Sequence, residues 1–434
     1  MSADALNGKC RETASSGWYK LDNAALIYPA IRSRNWAAVF RLTAMLNEPV
    51  RPEMLQQALD RTLPRFPTFA VRMRAGLFWH YFERGACRPL VQQDAADPCV
   101  RFFGGDNGGN LFRVRYYGRR IALELFHSLT DGNGGLVFLK TLTAEYLKLC
   151  GHSIPATHGV LDCSEPPSPD EVEDSFVRHA NLKIVASRRE PKAWQLPGTR
   201  LPAHTVNVVS GHIPLDKVLQ EAKKRGVTLT EYLAGAYLFT LFNIQKAEGR
   251  RLKRPVKLSI PVNLRRFYGS TTLRNFSSYV NAAIDGRYGD YTFDEVVTHV
   301  HHFMRYEITE KHLNARLANN VKAERNIAVR VLPLFAKNWA LSMVFRFVGE
   351  SLFTSTITNL GAMDVPDEMR PHVEYFDAML GPPKMNKCCC AVAGYGNLLC
   401  VNFTRTIREA FVEREFFSFL VRQGIPVKIY SNQE

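Results

Sequence analysis

The feature that most limits how this chain can fold is a change of period at residue 127. Arg120 to Phe126 alternates, with Ile121, Leu123 and Leu125 on one face, the pattern of a half-buried strand. His127 prolongs that apolar face by the period of two. A polar, glycine-rich turn follows, Asp131-Gly132-Asn133-Gly134-Gly135, and Leu136 to Leu149 then reads as a helix. A histidine at the mouth of a buried strand face is shielded from water, and shielding shifts its pKa. With a carboxylate in the next turn to fix the loop, His127 is a candidate general base. The same spacing also describes a structural histidine beside an Asp-Gly turn. Periodicity alone does not separate the two readings.

A resemblance does. His127-x-x-x-Asp131-Gly132 resembles the HxxxDG motif of the CoA-dependent acyltransferases. That superfamily includes chloramphenicol acetyltransferase, the plant BAHD acyltransferases, the alcohol acetyltransferases and the nonribosomal peptide condensation domains. Its position between a strand and a helix, about a third of the way along the chain, is similar to that of the family. Leu258 to Arg265 is a strand running into a basic turn and resembles the family strand ending in VDLR or GR. The arginine of that strand pairs with the motif aspartate, so the resemblance implies Arg265 as the partner of Asp131, with Arg266 as the neighbour able to replace it. A shielded carboxylate suits the planar fork of arginine, although two adjacent arginines also describe a solvated basic turn.

Phe353 to Gly361 is β-branched and alternating and reads as a strand. It resembles the T-x-x-x-SNLG strand of the alcohol acetyltransferase branch, with Thr358 where that branch usually has serine. Pro333 to Asn338, and Phe66-Pro67 followed by Leu77-Phe78-Trp79, are similar to the same branch. Two departures count against its cousins. Phe126 stands where condensation domains carry the first of two histidines, and no BAHD-type DFGWG occurs near the C-terminus.

The resemblance implies an α/β (α+β) fold of two chloramphenicol-acetyltransferase-like lobes, each a mixed sheet with helices, and an active-site tunnel between them. Residues 1–163 make the N-terminal lobe with the motif, 164–204 the crossover and 205–434 the C-terminal lobe. The implied activity is direct transfer of an acyl group, in the first instance acetyl, from a CoA thioester to an alcohol or amine. His127 is then the catalytic base, and Asp131, Gly132 and Arg265 are structural at the site. Thr358 and Asn359 are candidate oxyanion or substrate contacts. Acyl-CoA is a co-substrate; no bound cofactor and no metal are expected. The rivals are a carrier-protein-dependent condensation or acyl-transfer enzyme of the same fold and a non-catalytic binding module. The intact His127, Asp131 and Gly132 argue against the last.

The rest of the chain sets bounds. Its 434 residues suffice for a large core, and 46% hydrophobic with 22% charged residues is a globular composition. No window holds the ~18 apolar residues of a membrane span; the nearest, Trp339 to Val348, is broken by Arg346. Met1 to Asp4 lacks the basic run and apolar core of a signal peptide. The nine cysteines include no CxxC pair, which argues against structural zinc, and cytoplasmic residence with reduced thiols is the expectation. Cys388-Cys389-Cys390 read as small hydrophobes in a strand. The net charge of +15 suits an anionic partner: a phosphate-bearing CoA thioester, an acidic carrier protein or an anionic membrane surface in peripheral contact. No nucleic-acid-binding motif or long Lys/Arg stripe is present. There is no P-loop and no G-x-S-x-G elbow. His299, His301 and His302 read as a polar helix face within one helix from Asp294 to His312, because no acidic residue stands at a ligating offset.

Overall fold

The computed structural model describes residues 17–31, 38–85, 87–94, 97–100, 108–184, 190–249, 252–382 and 385–433. The sequence expectation for Met1 to Asp4 lies outside the described residues, as does most of Gly104 to Asn110, whose glycine-rich sequence reads as a turn. Among the described residues, seven strands precede residue 127: β1 (Trp18–Lys20), β2 (Val39–Leu46), β3 (Val71–Ala75), β4 (His80–Arg84), β5 (Gln92–Gln93), β6 (Phe112–Tyr117) and β7 (Arg120–Phe126). Eight more follow: β8 (Asn207–Pro214), β9 (Val256–Asn263), β10 (Ser277–Ile284), β11 (Ser355–Ala362), β12 (Val373–Leu380), β13 (Cys388–Tyr395), β14 (Leu398–Arg405) and β15 (Lys428–Ser431).

They form a five-stranded sheet in the order β12-β2-β7-β6-β5, a seven-stranded sheet in the order β10-β9-β11-β13-β14-β8-β15, and a small sheet β1-β4-β3. Both large sheets are mixed. The β5–β6 pair is parallel in the first, and the β9–β11 and β11–β13 pairs are parallel in the second. The molecule thus has two lobes, each a sheet clad in helices. The helix Gly132–Leu149 packs on β2 and β7, and the helix Leu229–Ala247 packs on the larger sheet. Thr228 caps the latter helix in a reciprocal box with Glu231.

One element crosses between the lobes. β12 lies within the 205–434 segment, yet it pairs antiparallel with β2 at the edge of the N-terminal sheet, from Val373↔Leu46 to Leu380↔Phe40. Residues 205–434 therefore do not all sit on one lobe. The two cores also meet at β13. Cys388, Cys390 and Val392 face the C-terminal core, and Ala391 and Ala393 face the N-terminal one. Two buried faces explain why this strand reads as a run of small apolar residues rather than an alternation.

β7 is buried on both faces too. Ile121, Leu123 and Leu125 are fully buried, and so is Glu124 on the opposite face. Glu124 pairs with Arg41 (2.6 Å) and Arg113 and accepts from the Cys99 N–H at 2.8 Å. Burial alone raises its carboxyl; Arg41 and Arg113 outweigh burial and hold it below the usual range. The crossover is strapped to both lobes. Arg65 donates twice to Glu171 at 2.6 and 2.8 Å, and the Leu273 N–H reaches the Glu171 carbonyl at 2.8 Å.

Three local expectations need correction. The helix after the motif starts at Gly132, not Leu136, because Asp131 caps it. The single helix expected from Asp294 to His312 is two, Phe293–Glu307 and Glu310–Arg325, with Thr309 capping the second. Cys99, Cys150, Cys163, Cys388, Cys389, Cys390 and Cys400 are free thiols, whereas Cys87 is disulfide-bonded.

Candidate active site

Asp131 is where the two lobes are fastened. Its Oδ1 accepts from the N–H groups of Asn133 and Gly134 at 3.1 and 3.2 Å, which ends β7's loop and starts the helix. Its two oxygens also take a forked pair from Arg265, at 2.8 and 3.1 Å, and Oδ2 accepts the Phe276 N–H at 2.8 Å. Arg265 stands just past β9, so the pair ties the C-terminal lobe to the N-terminal helix. The other donors of Arg265 reach the carbonyls of Thr272 and Arg274. Burial pushes the Asp131 carboxyl up, but Arg265 and the amide donors prevail and hold it below its usual range. Every bond site of this carboxylate is occupied by structure.

The glycines make the approach possible. A Cβ on Gly132 would lie 2.8 Å from Leu360 Cδ2, on β11 of the other lobe, and one on Gly134 would lie 2.2 Å from the Leu273 carbonyl oxygen. At Gly134 the obstacle is backbone, so any side chain there would force the two segments apart, whereas at Gly132 it is the flexible tip of Leu360, which can turn aside.

His127 is held in another manner. Its backbone N–H continues the β2–β7 ladder to the Ala38 carbonyl at 2.7 Å. The ring stacks on Tyr28 with centroids 4.7 Å apart and tilts against Phe40 at 5.1 Å. Phe40 pairs with Leu125 across the strands, so the ring does continue the apolar face. Nδ1 stands 3.2 Å from Asn275 Oδ1. The amide nitrogen of Asn275 donates to Asp22 Oδ2 at 3.2 Å and to the Ser128 carbonyl at 3.5 Å. That assigns the amide: its oxygen faces the imidazole, so Nδ1 carries the proton and Nε2 keeps its lone pair. Burial pulls the imidazole below its ordinary value of 6.5, opposed by its own backbone, Asp131 and Asn275. The ring is neutral at pH 7.

Asp22 anchors this chain of contacts. It is fully buried and accepts the Ala25 N–H at 2.8 Å. Arg274 Nε is 3.6 Å away. Burial pushes its carboxyl up to about 6, with Arg274 pulling down and Asp174 pushing up. Asp22, Tyr28 and Asn275 were not legible from the sequence. None carries a motif, and Asp22 and Asn275 are 253 positions apart.

The β11 side is built less tightly. Asn359 Nδ2 donates to Thr230 Oγ1 at 2.9 Å, and its Oδ1 accepts the Gly361 N–H at 2.8 Å. Both ends of this amide are committed inside the C-terminal lobe, away from His127. Thr358 lies on the opposite strand face, shared with Leu360, whose side chain reaches Gly132. The structure thus brings His127, Asp131, Gly132 and Arg265 together at the lobe junction, sets Thr358 on the strand face that meets it, and turns Asn359 away. A cavity of about 990 Å³ adjoins the Asp22 side, with Leu26, Trp79, Asp174, Arg325 and Arg330 among its walls; His127 is not one of them. No group of three His, Cys, Asp or Glu side chains is placed to hold a metal among the described residues.

No family model matches the sequence, and no curated protein is similar to it by sequence. Solved structures are similar in fold. TRI101 of F. sporotrichioides, complexed with coenzyme A and T-2, superposes with a TM-score of 0.62 at 9% identity, over 95% of this chain and 100% of that one. The trichothecene 15-O-acetyltransferase TRI3 of Fusarium sporotrichioides gives 0.58 at 12%, over 96% and 98%. A mutant starter condensation domain of rhizomide synthetase, in complex with C8-CoA and Leu-SNAC, gives 0.59 at 14%, over 93% of each chain. The chain has the two-lobed fold of these CoA-dependent acyltransferase and condensation-domain structures.

Proposed function

We propose that this protein is an acyltransferase that moves an acyl group from a CoA thioester to an alcohol or amine, with His127 as general base. The observation that carries the reading is the commitment of His127 Nδ1 to Asn275, which leaves Nε2 as a neutral, aromatic-shielded base at the junction of two lobes. The acceptor O–H or N–H gives its proton to Nε2 as its heteroatom attacks the thioester carbonyl carbon. A tetrahedral oxyanion forms, and the Thr358 hydroxyl is the candidate donor to it. Collapse breaks the C–S bond, and the departing thiolate takes the proton back from Nε2. No acyl-enzyme is needed.

Asp22 and Asn275 act as positioning residues: Asp22 orients the amide, and the amide fixes the imidazole tautomer. Asp131 is structural, since its lone pairs serve the helix cap, Phe276 and Arg265. Acetyl is the simplest donor group, by analogy with the alcohol acetyltransferase branch. Chain length and acceptor are open to a panel of acyl-CoAs with mixed acceptors, read by thiol release. Release that depends on acceptor and vanishes in His127→Ala supports the reading; release unaffected by that change overturns it. Donor class follows from salt. Attraction of a phosphate-bearing donor to a +15 protein is screened over ~8–10 Å at physiological ionic strength. KM for acyl-CoA therefore rises with salt while kcat changes less. An N-acetylcysteamine thioester that serves equally well at every salt concentration points instead to an acidic carrier protein.

A further inference from the structure

The mechanism leaves the cavity beside Asp22 unused. Its volume of about 990 Å³ stands at the upper end of the roughly 300–1,000 Å³ of sites that enclose drug-sized molecules. The walls come from the chain around β1 and β4, the crossover at 173–178, the end of the helix Glu310–Arg325 and the short helix Ile327–Val331. Leu21 is buried and marks the floor, whereas Trp18 (62%) and Val177 (40%) are exposed at the rim. Leu26, Trp79 and Tyr81 complete the apolar lining. Lys337 holds the Trp79 ring, with Nζ 3.2 Å from its centroid, and Trp18 meets Tyr81 edge-on at 6.4 Å. The apolar walls are therefore formed before any ligand arrives.

The charged side chains of the lining are not used alike. Its three acids have partners inside the protein. Glu173 takes Arg178 at 2.8 Å and the Ser175 hydroxyl at 2.8 Å. Asp174 accepts the Phe176 N–H at 3.0 Å and feels the charge of Arg274. Glu324 accepts from the Asn23 amide at 2.7 Å. Arg178 is itself spent on Glu173 and Asp170. Lys20, Arg325 and Arg330 also line the cavity, all three are exposed, and no ion pair holds any of them among the described residues. What the lining has left to offer a ligand is an apolar interior and cations at the mouth. Arginine's planar fork is suited to carboxylate and phosphate oxygens.

We propose that this cavity binds one amphipathic anion per chain, its apolar body over Leu21 and Leu26 and its carboxylate or phosphate head at the rim with Arg325 and Arg330. The proposal does not rest on the acyl-transfer reading, because His127 is not among the walls and binding is read without turnover. Isothermal titration of the full chain with dodecanoate tests it. One molecule should bind per chain, and octanoate should bind at least about tenfold more weakly, because fewer methylenes are buried. Dodecyltrimethylammonium, which has the same chain and the opposite charge, should also bind at least about tenfold more weakly. Dodecyl phosphate set against dodecanoate tells which head the rim prefers, and either order supports the proposal. Arg325→Ala with Arg330→Ala should weaken dodecanoate about tenfold or more, and Trp18→Ala about threefold, with unchanged melting in each case. Lys217→Ala with Lys223→Ala removes two exposed lysines outside the cavity and should leave binding within about twofold. Equal binding of the ammonium amphiphile, or wild-type binding by the double arginine variant, overturns the proposal. So does an equal loss in the lysine variant, since net charge alone would then attract the anion.

Discussion

Two strand ends meet at the candidate site, and they are furnished differently. At the end of β7, side chains from distant parts of the chain converge: Asp131 is gripped by Arg265 and three amide donors, and His127 is braced by Tyr28, Phe40 and the Asn275–Asp22 pair. At β11, Asn359 spends its amide on its own lobe, and Thr358 offers a hydroxyl on the facing side. The difference teaches that, on the proposed reading, the base is fixed in orientation and protonation before substrate arrives, while β11 contributes chiefly the wall opposite it. Rigidity has been concentrated on the proposed base.

The largest effect that tests this asymmetry is loss of the base. His127→Ala should lower kcat by ~10²–10⁴-fold with an unchanged melting temperature. If Thr358→Val does comparable damage, the two ends are equal partners and the comparison fails. Next is Asp131→Asn. The amide still caps the helix, but the largely enclosed Arg265 loses its counter-charge, at a cost of up to ~3–5 kcal/mol, read as a lower Tm. The sign against pH is defined. The Asp131 carboxyl is depressed when folded, so its contribution is present above 3.8 and is lost as pH falls through the folded value; the variant should lack that acid sensitivity. Normal melting with a displaced pH–rate curve would instead move Asp131 into the chemistry.

Asn275→Ala sharpens the picture of the base. Losing an orienting partner of a working histidine should cost about ten- to a hundredfold in kcat, with KM little changed. Asn275 favours the charged imidazole, so its removal should carry the acid limb of the rate profile, which already lies below 6.5, to still lower pH. A limb that stays in place would mean the amide only fills space. The smallest effect belongs to Asn359→Ala. About 1 kcal/mol of stability should go with its two hydrogen bonds, and kcat should hold within about threefold. A larger fall in rate would make β11 more than a wall.

How far the sequence reached depended on distance along the chain. The β7 face and His127 were legible because period two is local. The meeting of Asp131 with Arg265, 134 positions apart, came through resemblance and not through any pattern in the residues. The glycine run was misread as a turn because a capping aspartate and an Asx turn begin alike; the close approach of the Leu273 carbonyl that demands Gly134 is invisible in one dimension. Asp22 and Asn275 look like ordinary polar residues until the fold buries them together. The excursion of β12 to the other lobe had no local signal, since its alternation suits either sheet.

That excursion has a consequence for how the protein comes into being. The N-terminal sheet takes β12 as its edge, so β2 is left with an open flank until residue 380 has been added. On the ribosome, the first lobe waits as an incomplete sheet with pairing groups exposed while about three quarters of the second segment is synthesised. Separate expression of residues 1–163 should therefore yield an aggregating fragment, and supplying the 205–434 segment in trans should rescue it only by donating that strand.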